Sequence, residues 1–114
     1  MTKILGITGS LRLNSYNTRA LKLVLEKATT KYGSEINLID LREMELPIYN
    51  PSISSENDKI LSYVTREVLK ADSYVLASPD YHGSMSGAMK NLLDYYLKEF
   101  AGKTFGYIVA SHEI

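Results

Sequence analysis

The sequence contains no cysteine and has no excess of charge of either sign. Without cysteine the chain has no disulfide, no thiolate metal ligand and no thiol nucleophile. The thirteen basic and thirteen acidic residues give a formal net charge of +0, and no basic stripe appears, so we expect no nucleic-acid partner. No long apolar segment occurs either, so we expect neither a membrane span nor a secretion signal, and a cytoplasmic location follows by default.

The length and composition favour one folded domain over residues 1–114. Hydrophobic residues make up 45% of the chain and charged residues 23%, which is enough apolar material for a core. The periodicity of the apolar residues predicts four strands that alternate with three helices. The strands are expected at 3–8, 35–41, 72–77 and 104–110, and the helices at 16–32, 58–71 and 87–100.

This order, βαβαβαβ, predicts an α/β fold in which a doubly wound parallel sheet is covered by helices on both faces. Ligands of such sheets lie outside the carboxyl ends of the strands, where the strand order reverses. Two polar loops, 9–17 and 78–86, leave carboxyl ends of predicted strands, so we expect them to lie side by side. The apolar block 46–50, inside a long loop, is expected to pack onto a surface or over a site.

The first polar loop connects a buried strand to the start of a helix, where free backbone N–H groups and the positive end of the helix dipole favour a phosphate. Gly9 is expected to allow a tight turn, and the side chains that could donate to a phosphate are Ser10, Arg12, Ser15, Asn17 and Thr18. The alternative is an ordinary helix N-cap. Two other phosphate loops are excluded, because G-x-G-x-x-G is absent and 102–104 lacks the preceding glycine of a P-loop.

The second polar loop holds Pro79, Asp80, Tyr81, His82 and Gly83. An aromatic ring, an imidazole, a carboxylate and exposed backbone N–H groups together suit a planar heteroaromatic ligand. The alternative is a plain turn in which Asp80 and Ser86 cap the third helix. His82 and His112 are not assigned catalytic or metal-binding roles, because lone histidines in loops are common at surfaces.

Two segments resemble the NAD(P)H-dependent FMN reductase family. Residues 9–17 read G-S-L-R-L-N-S-Y-N and are similar to the family's phosphate loop, G-S-x-R-x-x-S-x-N. Residues 78–94 read S-P-D-Y-H-G-S-M-S-G-A-M-K-N-L-L-D and resemble its S-P-E-Y-N-x-S-x-P-G-x-L-K-N-x-x-D segment. The resemblance implies a flavodoxin-like fold, bound FMN, and oxidation of NADPH or NADH with reduction of a flavin, quinone, azo or metal acceptor.

The resemblance also implies residue roles. It places Ser10, Arg12, Ser15 and Asn17 on the FMN phosphate, and Pro79, Asp80, Tyr81 and His82 at the border of the flavin ring, with Gly83 allowing close approach and Ser111 opening a third loop. Three positions depart from the family pattern: Asp80 replaces Glu, His82 replaces Asn, and Ser86 replaces Pro.

Family members continue past this chain, so the resemblance implies truncation after strand four. The sheet is then expected to have the order 2-1-3-4, with the fifth strand of 2-1-3-4-5 missing. An apolar edge at 105–110, and an uncovered region around Met89, Leu92 and Tyr96, predict a homo-oligomer. A flavodoxin-type electron carrier and a non-catalytic truncated scaffold remain alternatives. A phosphoacceptor receiver domain is disfavoured, because Gly9 and Ser10 stand where it needs carboxylates.

Overall fold

The computed structural model describes residues 2–110, and these form a four-stranded parallel sheet in the order β2-β1-β3-β4. The strands are β1 (Lys3–Thr8), β2 (Glu35–Asp40), β3 (Ser73–Pro79) and β4 (Thr104–Ala110). The helices are α1 (Tyr16–Tyr32), α2 (Lys59–Lys70), α3 (Gly87–Tyr95) and α4 (Leu97–Phe100), with one 3-10 turn at Ser55–Asn57. The predicted fold class and strand order are confirmed, whereas the single-domain organisation stays a prediction.

The strand register places both polar loops at the carboxyl ends of the strands, on the same side of the sheet. β1 lies between β2 and β3, with Ile7 opposite Ile39 on one side and Leu76 on the other. The ladder continues one step beyond β1, where the Gly9 N–H donates to the carbonyl of Ala77 at 2.8 Å. The segments that follow β1 and β3 therefore start as neighbours, as the sequence predicts.

The core lies on both faces of the sheet. The larger cluster, between the sheet and helices α2 and α3, includes Leu5, Ile7, Ile39, Leu61, Val64, Val68, Tyr74, Leu76, Met89, Leu92 and Tyr96. The smaller cluster, under α1, centres on Leu21, Leu25 and Ala77. The expectation that the region of Met89, Leu92 and Tyr96 is uncovered is wrong, since none is more than 2% exposed. Met44, Leu46 and Ile53, from the connection between β2 and α2, pack against the same cluster and help to cover it.

The third predicted helix, 87–100, is broken into α3 and α4 at Tyr96. Tyr96 leaves the helical conformation, with φ −124° and ψ 53°, and its ring is buried while its hydroxyl hydrogen-bonds to Thr65 Oγ1 at 2.8 Å. Burial raises the pKa of Tyr96 to about 12, so the hydroxyl stays neutral in the core. The helical spacing of the apolar residues continues through this break, which is why periodicity does not reveal it.

The apolar block 46–50 packs onto α3, as predicted. Asn91 anchors it twice, since its Oδ1 accepts from the Tyr49 N–H at 2.8 Å and its Nδ2 donates to the Pro47 carbonyl at 3.0 Å. Tyr95 donates its hydroxyl to the same carbonyl at 2.6 Å and packs edge-on against Tyr49. This loop is thereby tied to the helix that follows the second polar loop.

None of the helices formed by residues 2–110 combines the length and the apolar character needed to cross a membrane.

Gly9 lies where the first polar loop touches the start of α3. A Cβ at Gly9 would come within 2.8 Å of Met89 Cβ and of Ser86 Oγ. Its φ is not in the left-handed region, which among the glycines holds Gly33, Gly83 and Gly102. The expected role of Gly9 in a tight turn is therefore replaced by close packing: a side chain would push α3 away from the loop.

We predict that Gly9→Ala lowers the free energy of unfolding by about 1–3 kcal/mol, the usual range for overpacking a filled site. Gly87→Ala is the matched control, because a Cβ there meets no atom within 4 Å and Gly87 has no positive φ. That control should be neutral or stabilising by about 1 kcal/mol, as expected for Gly→Ala in a helix. Urea unfolding measures both, and equal effects of the two substitutions would contradict the packing role of Gly9.

Candidate functional site

A cavity of about 940 Å³ lies between the two polar loops, within the range typical of small-molecule sites. The residues that line it are Ser10, Arg12, Leu13, Asn14, Ser15, Tyr16, Asn17, Arg19, Pro79, Asp80, Tyr81, His82, Gly83 and Ala110. It opens at the carboxyl ends of β1, β3 and β4, where a doubly wound sheet binds its ligands.

Ser86 joins the two loops. Its hydroxyl donates to the carbonyl of Gly9 at 2.8 Å and accepts from the N–H of Met89 at 3.1 Å, so it caps α3 and holds the first loop at once. Its own N–H donates to Ser78 Oγ at 2.9 Å. The capping role of Ser86 considered from the sequence is therefore present. The contact with Gly9 spans 77 positions, and no local signal in the sequence could have revealed it.

The amino-terminal end of α1 faces the cavity. Ser15 is its N-cap and its side chain accepts from the N–H of Thr18 at 3.5 Å. Ser10 is 1% exposed, and its hydroxyl accepts from the N–H of Arg12 at 3.3 Å. Both serines keep a hydroxyl proton that a bound anion could accept. The interpretation of this loop as a cap and its interpretation as a phosphate site are thus compatible.

Asn17 connects this helix end to β4. Its Oδ1 accepts from the N–H of Ala110 at 2.9 Å, which leaves the side-chain NH₂ as the donor for a ligand. Thr18, in contrast, does not line the cavity, because its hydroxyl hydrogen-bonds to Thr8 Oγ1 at 2.7 Å beneath the loop. Thr18 therefore fixes the start of α1 from the protein side.

The charges that line the cavity favour an anion. Arg12 and Arg19 are exposed on its wall, and among residues 2–110 neither forms an ion pair. The first turn of α1 carries no acidic residue, so its positive end is left for a ligand. Asp80 is the carboxylate of the lining. Arg19 lies outside the loop motif and was missed from the sequence.

The second loop forms a two-residue turn. Tyr81 and Ser84 exchange backbone hydrogen bonds of 2.8 and 3.1 Å, while His82 (φ 55°) and Gly83 (φ 76°) both adopt the left-handed conformation. These are the features of a type I′ turn. The backbone N–H groups of Tyr81 and Ser84 donate within the turn and are not available to a ligand. Of the backbone N–H groups expected to bind a ligand, those of His82 and Gly83 remain.

Glycine is favoured at position 83 by its positive φ and not by lack of space, because an added Cβ would meet no atom within 4 Å. His82 tolerates the left-handed region better than most residues, as does Asn, which the resemblance places there. Tyr81 is half exposed on the cavity wall, and the exposed Tyr16 also lines the cavity. A flat ligand between the two loops would meet aromatic surface and two backbone donors.

Most of the predicted site residues therefore meet in one place. Ser10, Arg12, Ser15, Asn17, Pro79, Asp80, Tyr81, His82 and Gly83 line the cavity, Thr18 lies behind it, and Ser111 falls outside the described residues. The lining residues that were not among the predicted site residues are Leu13, Asn14, Tyr16, Arg19 and Ala110. Within 2–110, no group of His, Asp and Glu side chains is arranged to hold a metal ion.

This sheet order is that of a flavodoxin-like fold, and the cationic helix terminus and the turn after β3 lie where the strand order reverses, the usual ligand position in such sheets. The chain belongs to the NADPH-dependent FMN reductase family, whose family model matches residues 2–113. The sequence-based resemblance is confirmed.

Two curated relatives are similar to this chain. A NAD(P)H-dependent FMN reductase of Pseudomonas aeruginosa is 32% identical over 114 residues, covering 96% of this chain and 60% of its own. A FMN-dependent NADPH-azoreductase of Staphylococcus saprophyticus is 34% identical over 113 residues, covering 93% and 58%. The chain thus spans about three fifths of the length of these relatives.

Among solved structures, the apo form of a NADH:FMN oxidoreductase (EMOB) superposes with a TM-score of 0.83 at 22% identity. The match covers 99% of this chain and 60% of that one, and it supports the fold assignment.

Proposed function

We propose that the chain binds FMN in the cavity between its two polar loops and forms the cofactor-binding part of an NAD(P)H-dependent reductase. The observation that carries this proposal is the pairing, in one cavity, of a cationic helix terminus with a turn that presents two backbone donors beside an aromatic ring. These two halves match the two ends of FMN, a phosphate and a planar heteroaromatic ring.

The phosphate end fits the loop at the start of α1. Arg12 supplies a charged fork, Ser10 and Ser15 supply hydroxyl protons, and the orientation of Asn17 by Ala110 presents its NH₂. The helix terminus adds partial positive charge without a competing carboxylate in its first turn. Together these groups would fix one end of the cofactor.

The ring end fits the turn after β3. Backbone N–H groups of His82 and Gly83 would donate to ring carbonyl or nitrogen acceptors, and Tyr81 would pack at the ring. Pro79 and Asp80 would border it. The pinning of this turn to Gly9 through Ser86 would keep the ring and phosphate contacts at a fixed separation.

Bound FMN would supply two-electron chemistry between NADPH or NADH and a small acceptor, such as a flavin, a quinone, an azo compound or a metal ion. The chain's residues would bind, orient and shield the cofactor, which requires neither a nucleophilic side chain nor a metal. A cytoplasmic location stays a prediction. Steady-state oxidation of NADPH and NADH with added FMN tests the activity, and flavin binding without turnover would favour the electron-carrier or scaffold alternatives.

We predict that Arg12→Ala weakens FMN binding by about 1.5–3 kcal/mol, the range for a hydrogen bond to a charged group. Riboflavin, which lacks the phosphate, should bind both proteins alike. The matched control is Arg66→Ala, which removes an arginine stacked on Tyr63 in α2, outside the cavity. Fluorescence titration measures all three, and equal FMN affinity in wild type and Arg12→Ala would contradict the phosphate assignment.

We predict that Tyr81→Ala changes the absorbance envelope or the fluorescence quenching of bound flavin, because the ring environment loses its aromatic contact. Tyr32→Ala, at the far end of α1, is the control, since Tyr32 is also exposed but does not line the cavity. If saturating flavin gives the same spectrum in Tyr81→Ala and wild type, this turn does not touch the ring.

We also propose that the chain forms a homo-oligomer through β4. Within the described sheet β4 is an edge strand, and Tyr107 and Val109 on one of its faces are 69% and 64% exposed. An apolar edge of this kind is seldom left bare. The area available is smaller than expected from the sequence, because Met89, Leu92 and Tyr96 are buried.

We predict that light scattering finds the 114-residue chain larger than a monomer, and that Tyr107→Lys lowers its mass toward the monomer. Tyr32→Lys should leave the mass unchanged, because that tyrosine is similarly exposed but belongs to α1 and not to the edge strand. A compact wild-type monomer with cooperative unfolding would contradict association through β4.

A further inference from the structure

Arg19 is a cation placed where its own helix disfavours one. It is the fourth residue of α1, and its N–H donates to the Ser15 carbonyl in the first turn. The amino-terminal end of a helix carries partial positive charge, so an arginine there is electrostatically unfavourable unless an anion lies nearby. Local rules of this kind are typically broken at functional sites. Lys31, at the opposite end of α1, obeys the rule.

Tyr16 holds this arginine in place. The guanidinium carbon of Arg19 lies 5.6 Å from the centroid of the Tyr16 ring, a cation–π contact between residues about one helical turn apart. Both side chains line the cavity, and Tyr16 is 71% exposed, so the contact buries neither. The guanidinium therefore keeps its donors at the cavity rim in a restricted orientation.

The charge of the cavity points the same way. Arg12 and Arg19 lie on the wall of the cavity together with the positive end of α1. A phosphate monoester carries about −1.5 to −2 at neutral pH. A second cation beside Arg12 would strengthen the attraction for such a dianion, and Arg19 supplies that cation.

We propose that Arg19, held by Tyr16, forms a second cationic contact at the cavity rim that binds a phosphate monoester dianion. The proposal rests on the proposed function and adds a residue that lies outside the loop motif. Two sources share this chemistry: the 5′-phosphate of FMN and the 2′-phosphate that distinguishes NADPH from NADH.

The test compares Arg19→Ala with Arg66→Ala in the 114-residue chain. Arg66 is the matched control, because its guanidinium carbon lies 5.9 Å from the Tyr63 ring in a similar contact outside the cavity. Titrations with FMN and riboflavin form one arm, and the NADPH-to-NADH ratio of kcat/KM forms the other. The ligand-free Tm confirms folding and should not fall in Arg19→Ala, because a cation leaves the helix start.

If the source is FMN, Arg19→Ala raises the Kd for FMN about threefold to tenfold, leaves that for riboflavin unchanged, and the difference shrinks as salt is added. If the source is NADPH, the flavin constants hold and the NADPH-to-NADH ratio falls by a similar factor. The proposal is overturned if Arg19→Ala changes neither the Kd for FMN relative to riboflavin nor the NADPH-to-NADH ratio of kcat/KM. It is also overturned if Arg19→Ala weakens the binding of FMN and riboflavin equally.

Inorganic phosphate separates this proposal from the proposed function. If the wild-type chain binds no flavin, NMR titration with phosphate decides the matter. Saturable shifts of the Arg19 side-chain Nε–H, without shifts at Arg66, would support the phosphate contact while the flavin proposal fails. No shift at Arg19 would overturn the proposed phosphate contact as well.

Discussion

The site depends on one hydroxyl group, that of Ser86. It accepts from the N–H of Met89 in the first turn of α3 and donates to the carbonyl of Gly9, so the helix end and the first loop share one hydrogen-bonded centre. The contact is possible only because Gly9 has no side chain to separate them. Ser86 is 3% exposed, and at such a buried position a donor or acceptor left without a hydrogen bond would cost about 1–3 kcal/mol of stability. The spacing of the two loops is therefore fixed by an interaction that water cannot replace.

The fold was predictable because its signals are local and periodic. Alternating strands and amphipathic helices, with right-handed crossovers, leave few arrangements other than a parallel sheet whose carboxyl ends carry the site. The packing of the loop 46–50 follows from its apolar composition in the same way. The two lining loops could be predicted because each follows a predicted strand, whereas Arg19 and Ala110 lie outside both loops.

The remaining features depend on contacts between distant segments. Tyr96, where the helix breaks, is buried and hydrogen-bonds to Thr65, 31 positions away. Residues of the connection after β2 pack against the cluster that holds Met89 and Leu92. The type I′ turn was obscured because histidine occupies a position where Asn or Gly is the usual signal. Thr18 was expected among the phosphate donors because it is a short polar residue at a helix start, and only the fold shows that it hydrogen-bonds to Thr8 and does not line the cavity.

The central claim is that one cavity binds both ends of FMN. NMR titration of the ¹⁵N-labelled chain tests it directly. FMN should shift the backbone amides of the α1 start, including Ser15 and Asn17, and those of His82 and Gly83, whereas riboflavin should shift mainly the latter pair. Shifts confined to one loop with FMN, or identical patterns with FMN and riboflavin, would contradict the account.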